Sequence, residues 1–127
     1  MMSTVLDAAA VLAVYFDEAG ADKVTAVLPG ALVSAVNYAE VIGKCLERGE
    51  TLATVLRKLA AMGVEVVVHE TRLACRAGEL RPPTKHLGLS LADRCCLALA
   101  ERERAMVLTA DRKWLQLDLD IDVRLIR

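Results

Sequence analysis

Four carboxylates stand at positions where they can do chemistry together: Asp7, Glu40, Asp93 and Asp111. Asp7 directly follows the apolar pair Val5-Leu6, and Asp111 lies two residues past an expected strand ending near Thr109. If all four reach one edge of a sheet, their mutual repulsion raises some of their pKa values unless a cation neutralises them. An oxygen-only donor set selects a hard ion, Mg²⁺ or Mn²⁺, over zinc. The chemistry such an ion suits best is phosphodiester hydrolysis, in which it acidifies and orients a water and offsets charge on the phosphate oxygens. Asp7, pinned to a strand end, is the expected central ligand, Glu40 and Asp93 complete the shell, and Asp111 binds a second ion or orients the attacking water.

Helix capping explains each acid equally well when taken alone. Asp7 can cap a helix starting at Ala8, and Asp111 one starting at Arg112. Asn37 to Glu40 and Ser90 to Asp93 each pair a polar residue with an acid three places on, the spacing of a capping box. What favours a common site is the arrangement of the elements that carry them.

Val5-Leu6 reads as a buried strand, followed by helices over 8–17 and 21–28, with Pro29-Gly30 as punctuation. Ala31 to Val33 reads as a second strand leading through Ser34 into a helix over 38–48. Thr51 is expected to cap the next helix, which Gly63 ends. Val64 to Val68 is mostly apolar and β-branched, which suits a parallel strand covered on both faces. A helix over 71–80, a polar proline-broken loop over 81–88 and a helix from Ser90 or Leu91 to Arg102 follow. A strand over 105–108, a short helix over 112–117 and an edge strand over 122–126 close the chain. Strands alternating with helices predict one domain over 1–127, a three-layer α/β fold with a central parallel sheet, whose functional crevice lies beyond the carboxyl ends of the strands.

The composition fits this plan. The 127 residues are 55% hydrophobic but only 3% aromatic, and mean hydropathy is +0.38. Small aliphatics therefore carry the packing, and a surplus of apolar surface points to a covering partner. Sixteen Lys plus Arg against seventeen Asp plus Glu leave a net charge of -1, so the whole chain is not a basic nucleic-acid binder, although local arginines can still face phosphates. Cys45, Cys75, Cys95 and Cys96 form no metal-binding spacing and are expected to be reduced core thiols. Met1 to Thr4 carries no side-chain charge and Asp7 interrupts the apolar run, so neither an export signal nor a membrane span is expected, and the cytoplasm is the expected compartment. No phosphate-cradling or dinucleotide-binding glycine pattern is present.

The chain resembles PIN-domain ribonucleases, specifically VapC-type toxins of type II toxin-antitoxin systems. The resemblance rests on four blocks in order: Val5-Leu6-Asp7-Ala8, Ser34 to Val41, Leu87 to Arg94, and Val107 to Trp114. It implies that Asp7, Glu40, Asp93 and Asp111 form the family's acidic quartet, with Asn37 and Thr109 as polar supports. It likewise implies Mg²⁺ or Mn²⁺ as cofactor, RNA (transfer or ribosomal) as substrate, a homodimer, and a cognate antitoxin that enters the catalytic groove. One departure stands out. The family often has Ser or Thr two places after the first Asp, whereas here Ala9 offers no hydroxyl to steady Asp7.

Arg72, Arg76, Arg81, Lys85 and Arg94 make the middle of the chain locally basic, either as a solvated face or as phosphate contacts. Arg81, Lys85, His86 and Arg94 are the RNA-binding candidates. Thr109 either steadies Asp111 or simply ends a strand, and Asn37 either orients Glu40 or caps its helix. His69 is expected to end a strand with its polar atoms satisfied, and Trp114 to pack in the core. The alternative function for such a chain is a catalytically weakened RNA-binding or regulatory module that keeps the carboxylates without useful turnover.

Overall fold

A computed structural model describes residues 3–127. Five strands, β1 (Thr4–Leu6), β2 (Leu32–Ser34), β3 (Glu65–Val67), β4 (Met106–Thr109) and β5 (Val123–Leu125), form one sheet in the order β3-β2-β1-β4-β5. Every neighbouring pair is parallel. Seven α-helices cover the two faces: α1 (Ala8–Tyr15), α2 (Ala21–Thr25), α3 (Ala35–Glu47), α4 (Leu52–Met62), α5 (Thr71–Glu79), α6 (Arg81–Thr84) and α7 (Leu91–Glu103).

Strand alternation sends adjacent residues into opposite layers. Val5, Leu32 and Val107 join the core under α5 and α7. Leu6, Val33 and Leu108 join the core under α1, α3 and α4. The expected three-layer α/β plan is thus realised. The chain builds outward from β1 through β2 to β3, then crosses to β4 and β5 on the other side. That change of direction puts the topological switch point of the sheet between β1 and β4, and in sheets of this kind ligands bind beyond the carboxyl ends of the strands at that point.

Three local expectations are corrected. The segment 64–68 is not covered on both faces: β3 is an edge strand, with Val66 41% and Val68 74% exposed. Its apolar run reads the same whether a strand has one neighbour or two. The segment 81–88 is not an irregular loop but α6 followed by a 3-10 turn over Lys85–Leu87. Pro82 and Pro83 fall in the first turn of α6, where backbone N–H groups have no intrahelical partner and proline costs little. Finally, α3 begins at Ala35 rather than Tyr38. Ser34 is its cap, accepting the Val36 amide, so Asn37 is a helical residue and does not cap.

Other expectations hold. Thr51 caps α4 and Gly63 ends it in a left-handed conformation, β5 is an edge strand, and Trp114 is 1% exposed. Cys45, Cys95 and Cys96 are buried free thiols, but Cys75 is exposed and is not a core residue. Among the described residues, no helix is long and apolar enough to cross a membrane.

Candidate active site

Asp7 is where the sheet and α1 meet. Its amide still pairs with the Leu108 carbonyl of β4, and its side chain caps α1 through Oδ1, which accepts the Ala10 amide at 2.8 Å. Oδ2 accepts the Thr109 hydroxyl at 2.5 Å. Because Leu6 aligns with Leu108 in the parallel register, the next residues along, Asp7 and Thr109, come side by side. The same Thr109 oxygen accepts the Asp111 amide at 3.0 Å. One buried hydroxyl therefore joins the first and last of the four acids. It also supplies to Asp7 the support that Ala9 lacks.

Thr109 thus does more than end a strand, and its hydroxyl reaches Asp7 as well as the Asp111 backbone. The Asp111 carboxylate turns to its own helix start, Oδ1 accepting the Lys113 amide at 3.0 Å. Asp93 completes a capping box with Ser90, each side chain accepting the other's backbone amide. Glu40 is exposed on α3 and is held by Asn37, whose Nδ2 donates to Glu40 Oε1 at 3.0 Å and to the Ala92 carbonyl at 3.2 Å. Asn37 therefore orients Glu40.

The electrostatics place three of the acids in one neighbourhood. The Asp7 carboxyl, 7% exposed, is pushed up to about 6. Burial is the main cause; the bonds from Thr109 and Ala10 pull it down, and the charges of Asp93 and Glu40 push it up again. The Cys96 thiol beneath them is driven well above its usual range, first by burial and then by Asp7, Asp93 and Glu40. Asp111 is connected to Asp7 through Thr109.

As the side chains stand, no three acidic, histidine or cysteine groups among the described residues converge closely enough to enclose a metal. The donor set nevertheless fits a hard divalent ion. Each carboxylate oxygen has two lone pairs, so an oxygen that accepts a cap bond retains acceptor capacity, and ligands can also act through water. Asn37 Oδ1 is a buried acceptor with no donor among the described residues.

The basic candidates separate into two groups. Arg81, Lys85 and His86 are exposed on α6 and the turn after it. Arg94 is engaged inside the molecule, donating to the Ala77 carbonyl at 2.9 Å and so joining α7 to the end of α5. Arg76 holds the same two helices together through paired bonds of 2.6 and 2.9 Å to Glu101. His69 contacts Cys95 Sγ through Nε2 at 3.4 Å, but its Nδ1 is buried without a partner among the described residues, so it is not fully satisfied as expected.

Residues 4–119 match the model of the PIN domain. No curated protein matches the chain. Among solved structures, the chain is similar to a toxin-antitoxin complex from Klebsiella pneumoniae, with TM-score 0.77, 19% identity and 98% of each chain covered. VapBC-1 from nontypeable Haemophilus influenzae gives 0.74 at 20% identity, again over 98% of each chain. DNA-bound VapBC from Salmonella typhimurium gives 0.73 at 16% identity over 100% of each.

Proposed function

The chain belongs to the PIN domain family, and from that premise we propose that it is a Mg²⁺- or Mn²⁺-dependent endoribonuclease, the toxin of a toxin-antitoxin pair. The observation that carries the reading is the junction of Asp7, Thr109 and Asp111 at the switch point of the sheet, with the charges of Glu40 and Asp93 felt at Asp7. In this reading Asp7, Glu40, Asp93 and Asp111 hold the cation. When bound, the ion supplies a water of lowered pKa and neutralises charge on the phosphate oxygens.

The chain's own residues do the rest. Thr109 fixes the Asp7 carboxylate by donating to Oδ2 while receiving the Asp111 amide, which keeps the ends of β1 and β4 in register at the site. Asn37 holds Glu40. Arg81, Lys85 and His86 take the RNA backbone, whose phosphates give affinity without base specificity. Arg94 supports that surface by joining α7 to α5. The partners in this reading are RNA, transfer or ribosomal, a cognate antitoxin and a second copy of the chain, all in the cytoplasm. The neighbouring folds described as toxin-antitoxin complexes support the antitoxin.

The dispersed carboxylates favour one other reading, a binding module with little turnover. Purified protein incubated with structured and unstructured RNAs, with Mg²⁺, Mn²⁺ or EDTA, beside Asp7→Asn, separates the two. Metal-dependent cleavage that the substitution largely removes is expected. RNA binding with equal, negligible cleavage by both proteins would favour the module, and equal cleavage by both, free of contaminating nuclease, would remove Asp7 from the mechanism.

A further inference from the structure

Glu40 and Asp93 ride on different helices, and neither is anchored to a strand end as Asp7 is. Some contact must therefore set the distance between them. The Asn37 side chain is 2% exposed, and its single amide nitrogen donates to two acceptors: Glu40 Oε1, one turn along α3, and the carbonyl of Ala92, the residue before Asp93 on α7. Both amide hydrogens are used, one for each helix. The orientation of the amide follows from chemistry, because the flipped form would press its carbonyl oxygen against a carboxylate and a backbone carbonyl.

We infer that Asn37 is the positioning residue that registers Glu40 against the Asp93-bearing start of α7, and so sets the affinity of the acidic site for a divalent ion. This rests on the reading of Glu40 as part of that site. An aliphatic residue at 37 would pack α3 equally well, but it would leave Glu40 free to swing in solvent and the Ala92 carbonyl without its donor. Residues that hold a ligand in place commonly change metal affinity by about 10–100-fold when removed.

Mn²⁺ binding, followed by electron paramagnetic resonance of the free ion in the absence of RNA, tests the inference without reference to activity. Asn37→Ala is expected to weaken Mn²⁺ binding by about tenfold or more. The near-isosteric Asn37→Leu keeps the packing volume and is expected to give the same loss, which covers the case in which the alanine variant folds poorly. In a Glu40→Ala background, either substitution at 37 should change the affinity less than about threefold, since the side chain it positions is gone. Equal losses in both backgrounds, or no loss in the folded single variants, would overturn the positioning role while leaving the metal site intact. Unchanged Mn²⁺ affinity in Glu40→Ala alone would instead show that Glu40 is outside the site, and the underlying reading would fail with it.

Discussion

Replacing Asp7 by Asn is expected to make the metal-free protein more stable while removing its response to metal. Burial lifts the Asp7 carboxyl from 3.8 to about 6 against the pull of the Thr109 and Ala10 bonds. That lift corresponds to a cost of roughly 3 kcal/mol carried by the ionised form at neutral pH. Asn removes that charge and still caps α1, since its side-chain oxygen can accept the Ala10 amide. Its amide nitrogen, however, meets the Thr109 oxygen, so the Thr109 hydroxyl hydrogen loses its acceptor at a cost of about 1–2 kcal/mol. The net gain is about 1–2 kcal/mol at pH 7.5 in EDTA, or about 3–5 °C in Tm per kcal/mol for a chain of this size. The folded pKa lies above the unfolded one, so the native state binds the additional proton between about pH 4 and 6. Wild-type stability is thus lost as pH rises through that window and levels off above it, and the advantage of Asn should disappear near pH 4. Saturating Mn²⁺ reverses the order at pH 7.5, because a ligand at a hundredfold excess over Kd stabilises the protein that binds it by about 3 kcal/mol. Urea denaturation of both proteins at the two pH values, with EDTA and with Mn²⁺, reads all of this. A wild type more stable than Asp7→Asn at pH 7.5 in EDTA would refute the reasoning that the buried charge dominates.

Thr109→Val keeps the shape of the strand end but strips the bond from Asp7 Oδ2 and from the Asp111 amide. A loss of about 1–3 kcal/mol in urea denaturation, with a clear fall in metal-dependent cleavage, is expected. Gly20→Ala should cost at least about 2 kcal/mol by the same measurement, since Gly20 has φ +93° and an added Cβ would lie 2.4 Å from the Ile126 carbonyl oxygen. Removing both Arg81 and Lys85 by alanine, in an Asp7→Asn background that binds without cutting, should reduce the salt slope of RNA affinity by about 1–2. Filter binding across a salt series measures that slope.

The layers of this fold are legible from residue pairs such as Val5-Leu6 and Val107-Leu108, whose members must enter opposite cores once the strands are parallel and covered. The position of β3 is not legible, because whether a strand has one neighbour or two depends on the order of the whole sheet. The two prolines at 82–83 misdirect for a different reason: their cost depends on where in a helix they fall, and here they occupy the first turn. At the site, the strand-end positions of Asp7 and Asp111 follow from local pattern alone. The bond from Thr109 to Asp7 spans 102 positions and exists only because β1 and β4 are adjacent in a definite register. The absence of a hydroxyl at Ala9 is legible in the sequence; its replacement from β4 is not.

That bond also bears on whether the acids are caps or something more. Where this chain needs only a cap, it uses a hydroxyl, as at Ser34, Thr51 and Ser90, or an exposed carboxylate, as at Glu70. A carboxylate cap normally gains from the helix dipole and from the amides it accepts, which favour its charged form. Asp7 receives an amide and a hydroxyl and still has its carboxyl lifted to about 6, because it is buried beside two further acids. As a cap alone, Asp7 is therefore a worse choice than the serines and threonine that cap α3, α4 and α7. In the proposed reading a divalent cation would convert the same burial and the same neighbours from a cost into a binding site, so capping accounts for where Asp7 sits and the proposed metal site for why it is an acid.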